Sequence, residues 1–290
     1  MANLKEIRNR ISSVSSTMQI TSAMKMVSAA KLKKAQDAIA AMRPYSDKLT
    51  EILQNLSERM EGGSESVYTK QRDVNKALVV AIASNRGLAG AFNSNIMKEL
   101  VRLNNNELAG VAVSYMTIGK KANDFAKRTN NVQANHSSLF DDLSFDKVAV
   151  IAEELMELYA TGTFDKIIIV YNSFKNAATQ IVMTEDFLPL KPIVKPIAEG
   201  LKVELDYIYE PSKEEITEQL IPKSLKTQLY KGVRDSWASE HGARMTAMHK
   251  ATDNATELRD QLKLTYNKAR QASITNEILE IVGGAEALNN

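Results

Sequence analysis

Apolar residues near the start of the chain recur at the spacing of a coiled-coil seam. The first five lie alternately three and four residues apart: Leu4, Ile7, Ile11, Val14 and Met18. The pattern weakens around Thr21 and Lys25. It then returns at the same spacing: Ala35, Ile39, Met42, Ser46, Leu49, Leu53 and Leu56. The sequence predicts one helix over residues 3–58, ~80 Å long at ~1.5 Å per residue, with a bend at Pro44, which lacks a backbone donor.

The middle of the chain alternates apolar runs with amphipathic segments, which is typical of an α/β layer with a largely parallel sheet. The predicted strands are 77–83, 111–118 and 166–171, with a hairpin strand at 180–188 and a short one at 206–209. The predicted helices are 91–104, 120–128 and 145–159. The first strand is apolar throughout, as expected of a strand that is buried on both faces.

A helical pattern returns after Pro211. We expect Pro222 to separate a short helix from a following helix of ~90 Å. The predicted seam of that helix is weak in its middle: Ala251, Ala255, Leu258, Leu262, Thr265, Ala269 and Ala272. A stronger apolar stripe follows near the end: Ile274, Ile278, Ile281, Ala285 and Leu288.

A single helix with such a seam is marginal in water, so the two terminal helices are predicted to pair with each other. The predicted fold class is α/β, with a long antiparallel coiled coil of the N- and C-terminal helices and an inserted Rossmann-like α/β domain. The predicted domains are the N-terminal helix at 1–60, the α/β domain at 74–209 and the C-terminal helix at 211–290.

Charge and composition narrow the possible functions. The net charge is only +2 and cysteine is absent, which excludes disulfide and cysteine–zinc chemistry. We expect no secretory signal and no membrane span, so that any link to a membrane goes through partners. Residues 1–36 are strongly basic, and this stretch is either a solvated helix face or a surface for an acidic partner.

Catalytic and cofactor motifs are missing from the sequence. It contains no phosphate-binding P-loop, and His241 and His249 are eight residues apart, too far for a two-ligand metal site on a helix. Gly87 and Gly90 follow a strand and precede a helix, as in dinucleotide-binding folds, but they do not form the G-x-G-x-x-G motif, and a tight strand-to-helix turn is the preferred interpretation. We therefore expect no enzyme activity, no cofactor and no metal.

Three segments resemble the gamma subunits of bacterial F-type ATP synthases. They are I-T-S-A-M-K-M-V-S-A-A-K at 20–31, R-G-L-A-G-A-F-N at 86–93, and the C-terminal stretch from Ser239 to Ala285. Ala89 stands where the family often has cysteine. No cysteine-bearing insert interrupts the middle domain, unlike in the chloroplast relatives, so thiol regulation of the chloroplast kind is not expected.

The resemblance implies a non-catalytic rotor shaft that couples proton-driven rotation of the c-ring to ATP synthesis or hydrolysis at the beta subunits. In this family the paired helices run through a ring of alpha and beta subunits, which bind the nucleotides. The α/β domain joins the epsilon subunit and the membrane c-ring. The implied location is the cytoplasmic side of the bacterial inner membrane, as a peripheral protein.

The resemblance also implies roles for individual residues. Arg270, Gln271 and Thr275 match residues that hydrogen-bond to beta-subunit loops, and the alternative is a solvated helix face. Arg244 and Met24 match segments that meet the lower stator loops. The basic residues are expected to face an acidic beta-subunit loop: Arg8, Arg10, Lys25, Lys31 and Lys33. The apolar end of the last helix is expected to lie in an apolar sleeve or to pack on the N-terminal helix: Ile274, Ile278, Ile281 and Leu288.

Three other functions compete with the rotor. An enzyme with a nucleotide-binding α/β domain needs a phosphate loop or a catalytic constellation, and the sequence contains neither. A free coiled-coil tether explains the helices but not the C-terminal match. A nucleic-acid binder fits the basic N-terminal stretch, but the charge is balanced overall and that stretch lacks aromatic residues for stacking.

Overall fold

The computed structural model describes residues 4–59, 67–129, 131–190 and 213–288. Its elements are α1 (Leu4–Arg59), β1 (Lys76–Ile82), α2 (Phe92–Asn105), β2 (Ala112–Ile118), α3 (Lys120–Ala126), β3 (Val132–Asn135), α4 (Phe145–Ala160), β4 (Lys166–Phe174), β5 (Gln180–Leu188) and α5 (Lys213–Leu288). Short 3₁₀ turns span Lys127–Thr129 and Ser137–Asp141. The strand predicted at 206–209 lies outside the described residues.

The chain forms two packing units. One consists of Ala30–Ala243, and the other joins Met1–Ala29 to Arg244–Asn290. Both long helices therefore contribute to both units. The division into domains at 1–60, 74–209 and 211–290 follows the order of elements along the chain and stays a prediction.

The first unit is built on a five-stranded sheet in the order β3-β2-β1-β4-β5. Strand β1 is parallel to both neighbours, with Val79 opposite Tyr115 on β2 and opposite Ile168 on β4. Strand β3 is parallel to β2, while β5 returns antiparallel to β4. Residues Ala77 to Ile82 are almost fully buried, which confirms the predicted central strand and the mainly parallel sheet.

The two faces of the sheet are covered differently. Val79, Ala81 and Val170 pack on the side of α2 and α3, and alternate residues pack on the side of α4. Residues of α5 complete this second layer at four-residue spacing, and all are buried: Ile221, Leu225, Leu229 and Val233. The period of two along each strand sends neighbouring side chains to opposite layers.

Helix α5 runs without interruption through Pro222, so the predicted break at that residue is wrong. A proline inside a helix costs ~3 kcal/mol. Burial of one large aliphatic side chain contributes ~1.5–3 kcal/mol, and Ile221 and Leu225 are both buried beside the proline. Tertiary packing therefore outweighs the local cost. Pro44 likewise lies inside α1, and a bend there stays a prediction.

The second unit pairs the start of α1 with the end of α5. The helices contact each other between Arg8 and Tyr266, between Met18 and Arg259, and between Thr21 and Thr252. The numbers rise along α1 while they fall along α5, so the helices are antiparallel. This confirms the predicted pairing of the two chain ends.

Candidate functional site

The seam of α1 continues through the region where the apolar pattern weakens. Thr21 and Ser28 are only 8% and 3% exposed and keep the spacing of three and four. The Thr21 hydroxyl lies 2.8 Å from that of Thr252 on α5. Each hydroxyl also lies within 3.1 Å of a carbonyl on its own helix, that of Met18 or Met248. Thr21 and Thr252 are therefore tolerated in the seam because their hydroxyls are hydrogen-bonded.

The seam of α5 differs from the predicted one. Leu258, Thr265 and Ala272 are exposed, whereas Arg259 and Tyr266 are half-buried. The Arg259 Nη1 lies 3.5 Å from the Met18 sulfur. Long polar side chains cover the seam with their apolar parts and keep their polar ends at the rim. A count of apolar residues alone cannot identify such positions.

Arg8 on α1 contacts Tyr266 on α5. Its Nη2 donates to the Tyr266 hydroxyl at 2.7 Å, and its guanidinium carbon lies 5.7 Å from the ring centroid. The hydrogen bond to Tyr266 raises the pKa of Arg8, which stays a permanent cation. Arg10, Lys31 and Lys33 are exposed.

The other residues with expected contacts differ in exposure. Lys25 and Met24 are half-buried and Arg244 is buried. Arg270, Gln271 and Thr275 are exposed on α5, where the Thr275 hydroxyl donates to the Gln271 carbonyl at 2.9 Å. The structure therefore presents the predicted beta-loop residues to solvent.

The last described turns of α5 form an exposed apolar stripe. Its large side chains are between 48% and 72% exposed: Ile274, Ile278, Leu279, Ile281 and Val282. Since Arg8 lies beside Tyr266 and the helices are antiparallel, Leu4 lies near residue 270, about one turn further along α5. The stripe therefore extends past the described start of α1. The Leu288 side chain is outside the described residues.

The turn between β1 and α2 is held by its own side chains. Asn93 Oδ1 accepts from the Ser84 amide at 3.1 Å and from the Ser84 hydroxyl at 2.9 Å. Leu88 and Gly90 have φ of 61° and 56°, the left-handed region that a tight reversal requires. This geometry supports the tight-turn interpretation for Gly90, whereas Gly87 does not adopt the left-handed conformation.

The crevice beside this turn is occupied by α5. Ala243 packs with Ala89 and Phe92 in one buried cluster. The Ser239 hydroxyl donates to the Asn172 carbonyl at 3.0 Å, and the Asn172 amide donates to the Phe92 carbonyl at 3.3 Å. In open α/β sheets, ligands bind outside the carboxyl ends of the strands where the strand order reverses. Here that place is filled by protein.

A cavity of about 260 Å³ lies elsewhere in the same unit. It is lined by residues of α1, β4 and α5: Ile39, Met42, Arg43, Ser46, Ser173, Phe174, Lys231 and Asp235. The Asp235 carboxylate accepts from the Ser173 hydroxyl at 3.2 Å. Burial raises the pKa of Asp235, the nearby Glu185 adds to this, and Ser173, Lys231 and Arg43 oppose it. The cavity therefore has a mixed lining of apolar and charged side chains.

Neither a metal-binding cluster nor a membrane-crossing helix occurs among residues 4–59, 67–129, 131–190 and 213–288. In these ranges no group of three or more His, Cys, Asp or Glu side chains is placed to hold a metal ion. In the same ranges no helix has the length and apolar character needed to cross a membrane.

Comparison with known proteins identifies the family. A family profile described as ATP synthase matches residues 3–288. The ATP synthase gamma chain of Flavobacterium johnsoniae is 68% identical over 289 residues, covering 100% of both chains. That of Flavobacterium psychrophilum is 69% identical over 290 residues, covering 99% of both.

Solved structures share the fold at lower identity. A chain of the Euglena gracilis mitochondrial ATP synthase has a TM-score of 0.70 at 22% identity, covering 98% of this chain and 94% of that one. A chain of the Tetrahymena thermophila mitochondrial enzyme has a TM-score of 0.59 at 23% identity, covering 80% and 99%. Because the profile and the relatives match from end to end, the chain belongs to the family of ATP synthase gamma chains.

Proposed function

We propose that this chain is the central rotor shaft of a bacterial F-type ATP synthase. It couples proton-driven rotation of the c-ring to ATP synthesis or hydrolysis at the beta subunits and is not catalytic itself. The observation that carries the proposal is that this member of the gamma-chain family has an antiparallel pair of long helices, and that α5 ends in an apolar stripe that faces solvent. A shaft needs this combination of a stiff pair and an end that is seated in another protein.

The stiffness of the shaft comes from contacts across the helix pair. Buried seam residues such as Ile7 and Ala255 give non-directional apolar contact. The hydroxyl pair of Thr21 and Thr252 and the hydrogen bond from Arg8 to Tyr266 are directional. Directional contacts at separate levels resist both sliding and relative rotation of the two helices.

The apolar end of α5 is proposed to lie in a sleeve formed by the alpha and beta subunits. Full burial of one side chain of this size contributes ~1.5–3 kcal/mol, so Ile274, Ile278 and Ile281 provide a substantial driving force for seating. Leu288 belongs to the same proposed surface. Apolar contact is non-directional, so the end can turn in its sleeve without breaking specific bonds.

The polar contacts of the shaft are proposed to be weak and replaceable. Arg270, Gln271 and Thr275 are assigned to loops of the beta subunits. Arg244 and Met24 are assigned to the lower stator loops, and of these two Arg244 is buried within the chain itself. The basic residues Arg8, Arg10 and Lys25 are assigned to an acidic beta-subunit surface. Exposed ion pairs contribute ~0–1 kcal/mol each, which suits contacts that must be remade during every turn.

The α/β domain is proposed to join the epsilon subunit and the c-ring. The chain then reaches the membrane only through its partners, on the cytoplasmic side of the bacterial inner membrane. The crevice at β1 and β4 is filled by α5, so the usual nucleotide position of such a sheet is not open in this domain. No nucleic acid is required for this function.

The test is co-expression with the alpha and beta subunits from the same source and purification through a tag on beta. We expect one copy of the chain per three beta subunits, and ATP hydrolysis that depends on its presence. Removal of residues 270–290 should lower this hydrolysis. If the chain purifies alone as a compact protein and beta-subunit hydrolysis is unaffected by it, the proposal is wrong.

A further inference from the structure

The crevice at the carboxyl ends of β1 and β4 lies where the strand order reverses. Strand β1 is followed by β2 on one side and, after the crossover, by β4 on the other. This is the general ligand position of open α/β sheets. The residues that close it are Ala89 and Phe92 after β1 and Asn172 in β4, all buried.

The occupant of the crevice is one turn of α5, from Ser239 to Ala243. Ser239 is fully buried, and its hydroxyl reaches the Asn172 carbonyl at 3.0 Å. The side-chain amide of Asn172 in turn donates to the Phe92 carbonyl at 3.3 Å. One α5 side chain is thereby linked through β4 to the start of α2.

Gly242 allows the helix backbone to come close to the β4–β5 connection. A Cβ atom at this position would lie 3.3 Å from both the Ala177 Cα and the Phe174 ring. That separation is tighter than ordinary van der Waals contact, and one of the two neighbours is backbone. The turn of α5 is therefore fitted to the crevice by shape as well as by hydrogen bonds.

The apolar contacts of α5 with the sheet favour one rotational position of the helix. Leu225, Leu229 and Val233 form a row on one side of it and are all buried, so rotation of the helix would expose them. The Ser239–Asn172 hydrogen bond adds a directional contact that is buried, so neither group has water as an alternative partner. Together with the hydrogen bond from Ser173 to Asp235, this bond fixes the angle of the helix about its axis.

We propose that the crevice is the anchorage through which the α/β domain holds α5 against rotation about its axis. Ser239 and Asn172 are the positioning residues, and Ala89, Phe92 and Ala243 are the packed wall. This inference rests on the proposed rotor function and adds the place where the domain delivers torque to the shaft helix. The place where open α/β sheets generally bind ligands is thus filled by a segment of the same chain.

The experiment compares Ser239→Ala with Ser236→Ala in the complete membrane complex. Both serines are buried on α5, but the Ser236 hydroxyl has no hydrogen-bond partner among the residues that the structure describes, so this variant is the matched control. The readouts are ATP hydrolysis, ATP-driven proton pumping, and amide hydrogen exchange over residues 236–243.

We expect Ser239→Ala to raise amide exchange in this turn about five-fold, which is the effect of one buried hydrogen bond. Pumping per ATP hydrolysed should fall while hydrolysis persists. Ser236→Ala should leave all three readouts unchanged. Gly242→Leu, which forces the helix away from the β4–β5 connection, should give the larger loss of pumping.

The anchorage is refuted if both serine variants pump and exchange alike and Gly242→Leu retains full coupling. Copurification with beta distinguishes this result from a failure of the rotor function. Variants that copurify at one copy per three beta subunits but keep full coupling refute only the anchorage, whereas a wild-type chain that does not copurify refutes the proposed function itself.

Discussion

Thr21 and Thr252 face each other across the helix pair, with their hydroxyl oxygens 2.8 Å apart, 231 residues apart in the chain. Thr21 is nearly buried, and the contact takes the place of an apolar seam pair. A hydroxyl pair accepts one relative position of the two helices, whereas aliphatic pairs accept several. The contact therefore specifies the register of the pair.

Valine at both positions should cost less unfolding free energy than the two single valine changes added together. Thr21→Val leaves the Thr252 hydroxyl without its cross-helix partner and should cost ~1 kcal/mol of unfolding free energy. The double variant with Thr252→Val replaces both partners by groups of similar shape and should cost less than the sum of the single changes. Urea unfolding of the full chain, followed by helical circular dichroism, measures the cycle. Additive effects would show that the two hydroxyls are not coupled.

The buried carboxyl of Asp235 should make the stability of the chain depend on pH. Burial raises the pKa of Asp235 in the folded state, and the nearby Glu185 raises it further. Ser173, Lys231 and Arg43 act in the opposite direction without cancelling the rise. The folded chain then binds this proton at higher pH than the unfolded chain. Stability from this group is greatest below the unfolded pKa of about 4 and declines as pH rises through the folded pKa.

Asp235→Asn should remove that decline and make the chain more stable at pH 7. The asparagine amide oxygen can still accept from the Ser173 hydroxyl and carries no charge. Thermal unfolding between pH 4 and pH 8 gives the comparison. The control is Asp260→Asn, an exposed carboxyl on the same helix. An unchanged pH slope in Asp235→Asn would assign the dependence to other groups.

A charge on the apolar stripe should affect the complex but not the isolated chain. Ile278 is 54% exposed, so Ile278→Asp should change the unfolding free energy of the chain by less than ~0.5 kcal/mol. In the proposed sleeve the same carboxylate would be desolvated, so ATP hydrolysis of the assembled complex should fall. Glu280→Gln, an exposed neighbour on the same turns, is the control. Equal activity of the two variants would argue against a seated end.

Substitution by alanine should destabilise the chain at Gly119 but not at Gly87. At Gly119, φ is 113° and a Cβ would lie 2.0 Å from the Ala83 carbonyl oxygen. At Gly87, no atom lies within 4 Å of such a Cβ. Gly119→Ala should destabilise the chain by at least ~3 kcal/mol, whereas Gly87→Ala should be close to neutral. The midpoint of urea unfolding decides between them, and equal midpoints would contradict the strained geometry.

The elements with a strong local pattern could be predicted from the sequence. The central strand is apolar throughout because both of its faces are covered, and the two long helices carry a repeat over many turns. Strand β3, at Val132–Asn135, was missed because it has only four residues, alternates half-buried with exposed positions and pairs past a bulge near Tyr115. So short an edge strand leaves too weak a pattern.

The errors along the helices come from contacts between residues far apart in the chain. The seam position of Arg259 depends on Met18, and the continuity at Pro222 depends on the core that α5 helps to cover. The crevice is a similar case, because Ser239 lies 67 positions after Asn172 in the chain. No local pattern marks these pairs, whereas the isoleucine spacing near the end of α5 predicted an apolar stripe but left open whether it packs on the N-terminal helix.

Antiparallel pairing also cancels the electric dipoles of the two helices. Each helix carries about half a positive charge at its N-terminus and half a negative charge at its C-terminus. Where α1 runs beside α5, the two fields oppose each other, and the pair has little net polarity. Beyond residue 270 α5 continues without the described part of α1, so the negative end of its dipole is uncompensated there. Any protein that receives this end is therefore favoured if it offers hydrogen-bond donors or positive charge near the last carbonyls.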